Sequence, residues 1–181
     1  MILNLQQHEA NYFGQFTKNG VIIDTCVLRV LIDGLFDIQV SGKPNQDFED
    51  LMDFLDLIKM KNAWSRFYIT PHVLTETCRQ FRDKYRKWDN LKDLLGLVIP
   101  VMNSMQEANS AKKEDILNSI ELSNPIIDIG DISICLVADD FIKKQMKIAF
   151  LSVDSRLNAQ FSSSKEVLAM DFRQNILNFI G

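Results

Sequence analysis

Two kinds of apolar pattern alternate along the chain, and their alternation predicts an α/β fold. Short and almost continuous apolar runs, typical of strands buried on both faces, occur at 21–24, 66–70, 147–153 and, more weakly, 166–170. Between these runs, apolar residues recur at helical spacing. The predicted architecture is therefore a central parallel sheet of about four to five strands with helices on both faces.

Helical spacing and helix-end signals place four helices among these strands. They are predicted from about Thr25 to Asp33-Gly34, over 47–60, from Thr70-Pro71 to about Trp88, and from Asp128 through the segment ISICLVADDFIKK. A short C-terminal helix is also expected. Within 90–122, the stretch LKDLLGLVIPVM fits either a helix broken at Gly96 and Pro100 or a segment that hides a strand, and NSMQEANSAKKEDILNSIE is predicted to be helical.

The helix that follows Thr70 carries an apolar side and a basic stripe. Arg79, Arg82 and Arg86 recur at i, i+3 and i+7. We interpret this stripe either as a guide for a phosphate backbone or as the solvated face of an amphipathic helix. The predicted apolar side consists of Leu74, Cys78, Phe81, Tyr85 and Trp88.

Length and composition indicate one globular domain without a membrane span. The chain has 181 residues, which we divide into an N-terminal extension over 1–19 and a single domain over 20–181. No apolar run is long enough to cross a bilayer and the N-terminus does not resemble a signal peptide, so a cytoplasmic protein is expected. The formal net charge of −4 means that any surface for nucleic acid must be local.

The sparse histidines and cysteines argue against zinc chemistry. The chain has 2 His and 3 Cys, and the cysteines are widely spaced, without a CxxC pair. Carboxylates are hard oxygen ligands that suit Mg²⁺ or Mn²⁺. A divalent-metal site built from Asp and Glu is the metal chemistry that this composition allows.

Four acidic residues stand at the ends of apolar runs or at the start of helices. Asp24 and Asp154 follow predicted buried strands, and the carboxyl ends of parallel strands share one edge of the sheet. Glu76 is predicted to point away from the apolar side of its helix. Asp131 lies near a helix N-terminus, where backbone N–H groups are expected to keep it ionised. Taken singly, Asp131 reads as a helix cap and Glu76 as a solvated side chain.

These acids fall in four short motifs that resemble the PIN domain family of metal-dependent ribonucleases. The motifs occur in the order of that family, and they are VIIDT at 21–25, TPHVLTE at 70–76, DISICLVA at 131–138 and FLSVD at 150–154. The resemblance implies a PIN-like domain in which Asp24, Glu76, Asp131 and Asp154 are both catalytic residues and ligands of Mg²⁺ or Mn²⁺.

The resemblance also implies accessory positions and a reaction. Thr25 follows the first Asp, and Ser152 stands two residues before the last, as is usual in the family. Asp128 competes with Asp131 as the third acid, and the isoleucine and alanine spacing favours Asp131. The implied activity is hydrolysis of phosphodiester bonds in single-stranded or structured RNA by an endoribonuclease that leaves a 5′-phosphate and a 3′-hydroxyl.

Several functions stay open at this point. The family contains toxins that are neutralised by a small antitoxin protein and housekeeping nucleases, and either kind can form a homodimer. A non-catalytic module of the same fold that binds RNA or a protein partner is the alternative outside enzymology. A phosphatase of the haloacid-dehalogenase type would need a second Asp where this chain has Cys26.

Overall fold

The structure is a computed structural model that describes residues 11–108, 112–122 and 128–174. Its centre is a sheet of five parallel strands in the order β3-β2-β1-β4-β5, flanked by helices. The predicted α/β fold with a central parallel sheet is confirmed. The strands are β1 (Val21–Ile23), β2 (Phe67–Ile69), β3 (Gln106–Glu107), β4 (Ile148–Leu151) and β5 (Val167–Met170).

The described residues include eight labelled helices and a 3-10 turn at Trp64–Arg66, and the chain is helical again at 172–174. Asn45, Thr70 and Asp128 cap α3, α4 and α7 through side-chain oxygens, as their residue types favour. The helices are α1 (11–17), α2 (Thr25–Ser41), α3 (Gln46–Leu57), α4 (Pro71–Tyr85), α5 (Leu91–Ser104), α6 (Lys113–Leu122), α7 (Ile129–Lys143) and α8 (Ser155–Gln160).

The central strands β1 and β4 are covered on both faces. Every residue of both strands is buried, although successive side chains of a strand point to opposite faces. This explains why their sequences are continuously apolar rather than alternating. The main core extends from these strands into α2, α3 and α7.

Helix α2 is longer than predicted. It continues through Gly34 and ends at Ser41, where Gly42 adopts φ 72° and its N–H bonds the carbonyl of Ile38 at 2.9 Å. Gly34 is not a stop signal, because a Cβ at this position would lie 2.1 Å from Cδ2 of Phe48. The glycine therefore serves the close approach of α3, and tertiary packing overrides its low helix propensity.

The buried side of α4 differs from the predicted one. Val73 and Thr77 are buried, whereas Leu74 is 37% exposed and Cys78 is exposed. Thr77 tolerates burial because its hydroxyl donates to the carbonyl of Val73 at 2.7 Å. The predicted apolar side did not include Thr77, and it was correct only towards Tyr85.

Neither alternative for LKDLLGLVIPVM is correct, because α5 is not broken at Gly96 or Pro100, and the strand that occurs, β3, lies in the following stretch, which was predicted to be helical. Among its described residues, that stretch is helical only at the end of α5 and in α6. A helix, α5, accommodates Pro100 in its interior, and β3 follows it as an edge strand. Only two residue pairs join β3 to the sheet, Tyr68 opposite Gln106 and Ile69 opposite Glu107. So short a strand leaves almost no pattern in the sequence.

Residues 11–19, the described part of the predicted N-terminal extension, pack against the rest of the domain. Phe16 and Thr17 are buried, and the carbonyl of Thr17 accepts a hydrogen bond from Arg66 at 2.6 Å. Asn19 donates to the carbonyl of Lys147 at 2.7 Å. Residues 172–174 are helical, and the rest of the predicted C-terminal helix lies outside the described residues.

None of the helices described is both long and apolar enough to cross a membrane.

Candidate functional site

The site lies where the direction of strand order reverses. From β1 the chain moves outward to β2 and β3, and it returns to the other side of β1 as β4 and β5. Ligands of open α/β sheets bind outside the carboxyl ends of the strands at such a switch point. Asp24 directly follows β1, and its N–H donates to the carbonyl of Leu151, the last residue of β4, at 3.2 Å.

A cavity of about 520 Å³ opens at this edge. All four acids predicted from the sequence line it, and they come from different parts of the fold: the ends of β1 and β4, the middle of α4 and the start of α7. Thr25 and Asp128 line it as well. The acids lining the cavity are therefore Asp24, Glu76, Asp128, Asp131 and Asp154, together with Asp33 and Asp47, which the sequence analysis did not select.

Asp24 is buried, only 8% exposed, and all the described partners of its carboxylate are hydrogen-bond donors. Oδ1 accepts from the backbone N–H of Thr25 at 2.6 Å, while Oδ2 accepts from Ser152 at 2.7 Å and from the Cys26 thiol at 2.8 Å. A buried carboxylate is expensive unless such donors compensate it. These bonds fix the orientation of Asp24 at the end of β1.

Ser152 connects two of the acids. It is fully buried, its hydroxyl donates to Asp24, and the same oxygen accepts from the backbone N–H of Asp154 at 2.9 Å. Asp154 then caps α8, accepting from the N–H groups of Arg156 at 2.8 Å and Leu157 at 3.3 Å. Through these hydrogen bonds, Ser152 keeps the segment after β4 next to the end of β1 at the cavity.

Cys26 also lines the cavity, as a donor rather than as a thiolate. Burial first, and then the neighbouring Asp24 charge, raises the pKa of its thiol to about 12. Its sulfur remains protonated at neutral pH and hydrogen-bonds to Asp24. In the metal-free protein the Cys26 thiol therefore acts as a hydrogen-bond donor that helps to orient Asp24.

Glu76 reaches the cavity from the middle of α4. Its Oε2 accepts from the hydroxyl of Thr25 at 3.1 Å, and its Oε1 accepts from the amide of Gln80 at 3.0 Å. A Cβ on Gly130 would lie 3.4 Å from Oε2 of Glu76, so the first turn of α7 comes close to this carboxylate. The sequence analysis predicted that Glu76 points away from the apolar side of α4. It lies next to the buried Thr77 instead, and it lines the cavity at the carboxyl edge of the sheet.

The two acids that competed for the third position have different roles at the start of α7. Asp128 is the N-cap, and its Oδ1 accepts from the N–H of Asp131 at 2.9 Å. In return, the backbone of Asp128 hydrogen-bonds the Asp131 carboxylate. This reciprocal arrangement is a capping box with Asp in place of Glu. Asp131 thus has a share in capping, as one reading of the sequence held.

The charge state of Asp131 differs from the one expected at a helix N-terminus. Burial, followed by the charges of Asp128, Asp24 and Asp154, raises the pKa of Asp131 to about 7, against a single backbone hydrogen bond that lowers it. Desolvation and like charges therefore outweigh the helix dipole. With a pKa of about 7, Asp131 of the metal-free protein gains and loses its proton near neutral pH, so the backbone N–H groups do not by themselves hold it ionised.

The acids line one cavity, but their side chains are not arranged in a metal-coordination geometry. Among residues 11–108, 112–122 and 128–174, no three Asp, Glu, His or Cys side chains are arranged to hold an ion. The donor set nevertheless suits a hard divalent cation, because it consists of carboxylate oxygens. Burial first, and then the like charges of Asp128, Asp24 and Asp154, raise the pKa of Asp131, and a cation would relieve the part that is due to the like charges.

Three arginines at the cavity were missed by the sequence analysis. Arg29, Arg156 and Arg173 line the cavity, and each pairs with an acid. Arg29 lies 3.8 Å from Asp33, Arg156 lies 3.8 Å from Asp154, and Arg173 lies 2.8 Å from Asp47. The position of Arg156 two residues after a candidate ligand was the only available signal. Arg173 comes from beyond β5, and no local pattern indicates its proximity.

The predicted arginine stripe of α4 is only partly near the acids. Arg79 lines a neighbouring cavity, which shares part of its wall with the acidic one. Arg82 forms an exposed ion pair with Asp83 at 3.5 Å, and Arg86 is exposed just after the end of α4. Neither Arg82 nor Arg86 lines the acidic cavity.

Comparison with known proteins supports the fold alone. No protein family and no curated protein sequence matches the chain. The solved structures that resemble it include the crystal structure of PAE2754 from Pyrobaculum aerophilum, with a TM-score of 0.55 and 12% sequence identity. The match covers 89% of this chain and 96% of that one.

Proposed function

We propose that this protein is a divalent-metal-dependent endoribonuclease of the PIN type. The observation that carries the proposal is the arrival of Asp24, Glu76, Asp131 and Asp154, from four separate elements, at one cavity on the carboxyl edge of the sheet. A cap or a solvated carboxylate accounts for one such acid. It does not account for all four in a single cavity at the switch point.

The same acids are proposed to hold Mg²⁺ or Mn²⁺, with Asp128 as the alternative to Asp131. Such an ion supplies Lewis-acid activation of the attacking water and stabilises charge on the leaving oxygen. Asp24 is oriented for this role by its donors, and Ser152 keeps Asp154 beside it. Thr25 and Gln80 orient Glu76.

The arginines around the cavity are proposed to bind the phosphate backbone of RNA. Arg29, Arg156 and Arg173 stand at the cavity itself, and Arg79 stands next to it. Their charge gives an acidic protein a local surface for a polyanion, which its net charge of −4 does not provide. Arg82 and Arg86 would extend this surface along the exposed side of α4.

The test is cleavage of mixed-sequence single-stranded RNA by the purified protein. We expect cleavage with Mg²⁺ or Mn²⁺, no cleavage in EDTA, and products with 5′-phosphate and 3′-hydroxyl ends. Asp24→Asn should abolish cleavage while leaving the protein folded, because the amide keeps the shape of the carboxylate and loses the charge that holds the ion. Cleavage that persists in EDTA or in Asp24→Asn would refute the proposal.

A pair of substitutions on α7 controls for general effects on that helix. Asp131 lines the cavity, whereas Asp140 lies outside it and pairs with Lys144 on the surface. Asp131→Asn should remove activity, and Asp140→Asn should retain it. Equal activity of the two variants would exclude Asp131 from the site.

A non-catalytic module that binds RNA or a protein partner is the alternative, and it corresponds to one outcome of the same assay. RNA binding without cleavage in either metal would establish it. Within the enzymatic proposal, the protein acts in the cytoplasm, and a small antitoxin protein and a second copy of the chain are the partners that the family resemblance suggests.

A further inference from the structure

A second cavity, of about 360 Å³, adjoins the acidic one between α2 and α4. Its wall includes apolar surface from Ile32 and Phe81 and the ring of Tyr85. Arg29, Asp33 and Gln80 line both cavities, so the two are neighbours with a common wall. A ligand that spans this wall would reach from the acids into the second cavity.

Gln80 stands at this common wall with an unmet hydrogen-bonding group. Its amide N–H donates to Glu76 at 3.0 Å, and a carboxylate can only accept, so the carbonyl oxygen has to point away from Glu76. That oxygen is buried and finds no donor among the described residues. Buried carbonyls are normally paired, so a turn of the Gln80 amide that brings this oxygen to a ligand N–H at the cavity wall would be favoured.

Asp33, the other acceptor at the wall, is already occupied. The hydroxyl of Tyr85 donates to one of its oxygens, and Lys84 pairs with the other at 2.8 Å. Arg29 approaches the same carboxylate at 3.8 Å. The carbonyl of Gln80 is thus the acceptor that remains for a ligand.

We propose that this second cavity is a nucleoside subsite, which holds the base next to the phosphate that lies at the acids. The proposal rests on the proposed ribonuclease function and names how its substrate is held. A nucleobase combines a flat face, which packs on Phe81 and Ile32, with N–H groups on its edge, which can donate to Gln80. Arg29 and Arg79 lie where the attached phosphates would enter.

Other small ligands fit this cavity less well. Its volume lies in the range of sites for small organic ligands, which is more than a lone phosphate needs. Asp33 and Asp83 in its wall oppose a simple anion, and the charged groups at its mouth oppose a purely apolar ligand. A neutral base in this cavity, with its phosphate outside it at the acids, satisfies both conditions.

The test measures binding rather than cleavage, by fluorescence anisotropy of a labelled, short, mixed-sequence single-stranded RNA in Ca²⁺. Phe81→Ala should weaken binding by roughly 5- to 140-fold, the change in Kd that corresponds to loss of one stacked base. Gln80→Ala should also weaken binding. Tyr12→Ala, which removes an exposed aromatic ring outside both cavities, should leave the Kd unchanged.

RNAs with a single abasic position identify the subsite directly. In the wild type, one abasic position should weaken binding as much as Phe81→Ala does, and the two changes should not add when combined. Because Phe81 contacts the Tyr85 ring at 5.3 Å between centroids, Phe81→Leu serves as a variant that keeps the apolar volume. It should bind more weakly than the wild type while melting normally.

Three outcomes are distinct. Wild-type cleavage together with an unchanged Kd for folded Phe81→Leu and Gln80→Ala overturns the subsite and leaves the ribonuclease proposal intact. Additive effects of the abasic position and Phe81→Ala also overturn the subsite. Absence of RNA binding and cleavage by the wild type overturns both proposals.

Discussion

Asp131→Asn should stabilise the metal-free protein at alkaline pH and have little effect at acidic pH. In the folded protein, burial and the charges of Asp128, Asp24 and Asp154 raise the pKa of Asp131 from 3.8 to about 7. Between these two pH values, the folded state holds a proton that the unfolded state has lost. The free energy of unfolding contributed by this group therefore falls as pH rises from about 4 to about 7.

The magnitude follows from the shift. Each unit of pKa corresponds to about 1.36 kcal/mol, so conversion of the whole shift gives roughly 4 kcal/mol of destabilisation above pH 7. Asp131 is only partly buried, and solvent screening reduces this figure to about 1–2 kcal/mol. Asparagine keeps the acceptor for the backbone hydrogen bond from Asp128 and carries no charge to repel the other acids.

The assay is urea unfolding in EDTA at pH 4 and pH 8, for the wild type, Asp131→Asn and the surface control Asp140→Asn. At pH 8 we expect the free energy of unfolding of Asp131→Asn to exceed that of the wild type by about 1–2 kcal/mol. This is equivalent to a rise of roughly 2–8 °C in Tm for a domain of this size. At pH 4 the two should agree closely. Added Mn²⁺ should stabilise the wild type more than Asp131→Asn, because a ligand of the folded state stabilises it by mass action.

A destabilised Asp131→Asn at pH 8 would refute the reasoning, since it would show that the ionised carboxylate has a favourable partner. A difference that does not change between pH 4 and pH 8 would also refute it, because the effect would then not be electrostatic. If Asp140→Asn showed the same pH dependence, the cause would be the charge of α7 as a whole rather than the cavity.

Three further substitutions test packing, the hydrogen-bond network and the phosphate surface. Gly34→Ala should lower the free energy of unfolding by about 1–3 kcal/mol, and with it the urea midpoint, because its methyl would lie 2.1 Å from the Phe48 ring. An unchanged midpoint would show that α3 can move away. Ser152→Ala should lower the Tm and reduce the free energy of unfolding by about 1–3 kcal/mol. The reason is that its buried hydroxyl donates to the Asp24 carboxylate and accepts from the backbone N–H of Asp154. A Tm equal to that of the wild type would contradict this role. Arg173→Ala should weaken RNA binding evenly across sequences and reduce its salt slope by about one, and the same result for Arg82→Ala would extend the phosphate surface along α4; an unchanged slope would assign the tested arginine to a solvated face.

The local sequence was sufficient to predict the strands that carry the site. A strand buried on both faces has to be apolar throughout, so β1 and β4 are visible as continuous apolar runs. Asp24 and Asp154 follow these runs closely, and parallel strands bring such residues to the same edge. The cap at Thr70 with Pro71 likewise located the start of α4.

Errors arose where a residue type had to be interpreted without its neighbours. Gly34 suggested a helix end, but Phe48 of α3 occupies the space that a side chain would need. Thr77 suggested a polar face, but it is buried through a hydrogen bond to its own helix. In both cases a contact made after folding, rather than an intrinsic preference, decided the structure.

The sequence alone thus determined the fold class, the edge of the sheet at which the site lies and the candidate acids. These features depend on short-range patterns of apolar and acidic residues and on the parallel direction of the strands. Only the tertiary structure decided which charges meet there. Arg173 and Asp47 pair although they are 126 positions apart in the chain. The pKa of Asp131 is raised by burial first, then by its neighbour Asp128, and then by Asp24 and Asp154, which arrive from distant strands. Electrostatic energy depends on separation in space and on burial, and neither quantity is written in the order of residues along the chain.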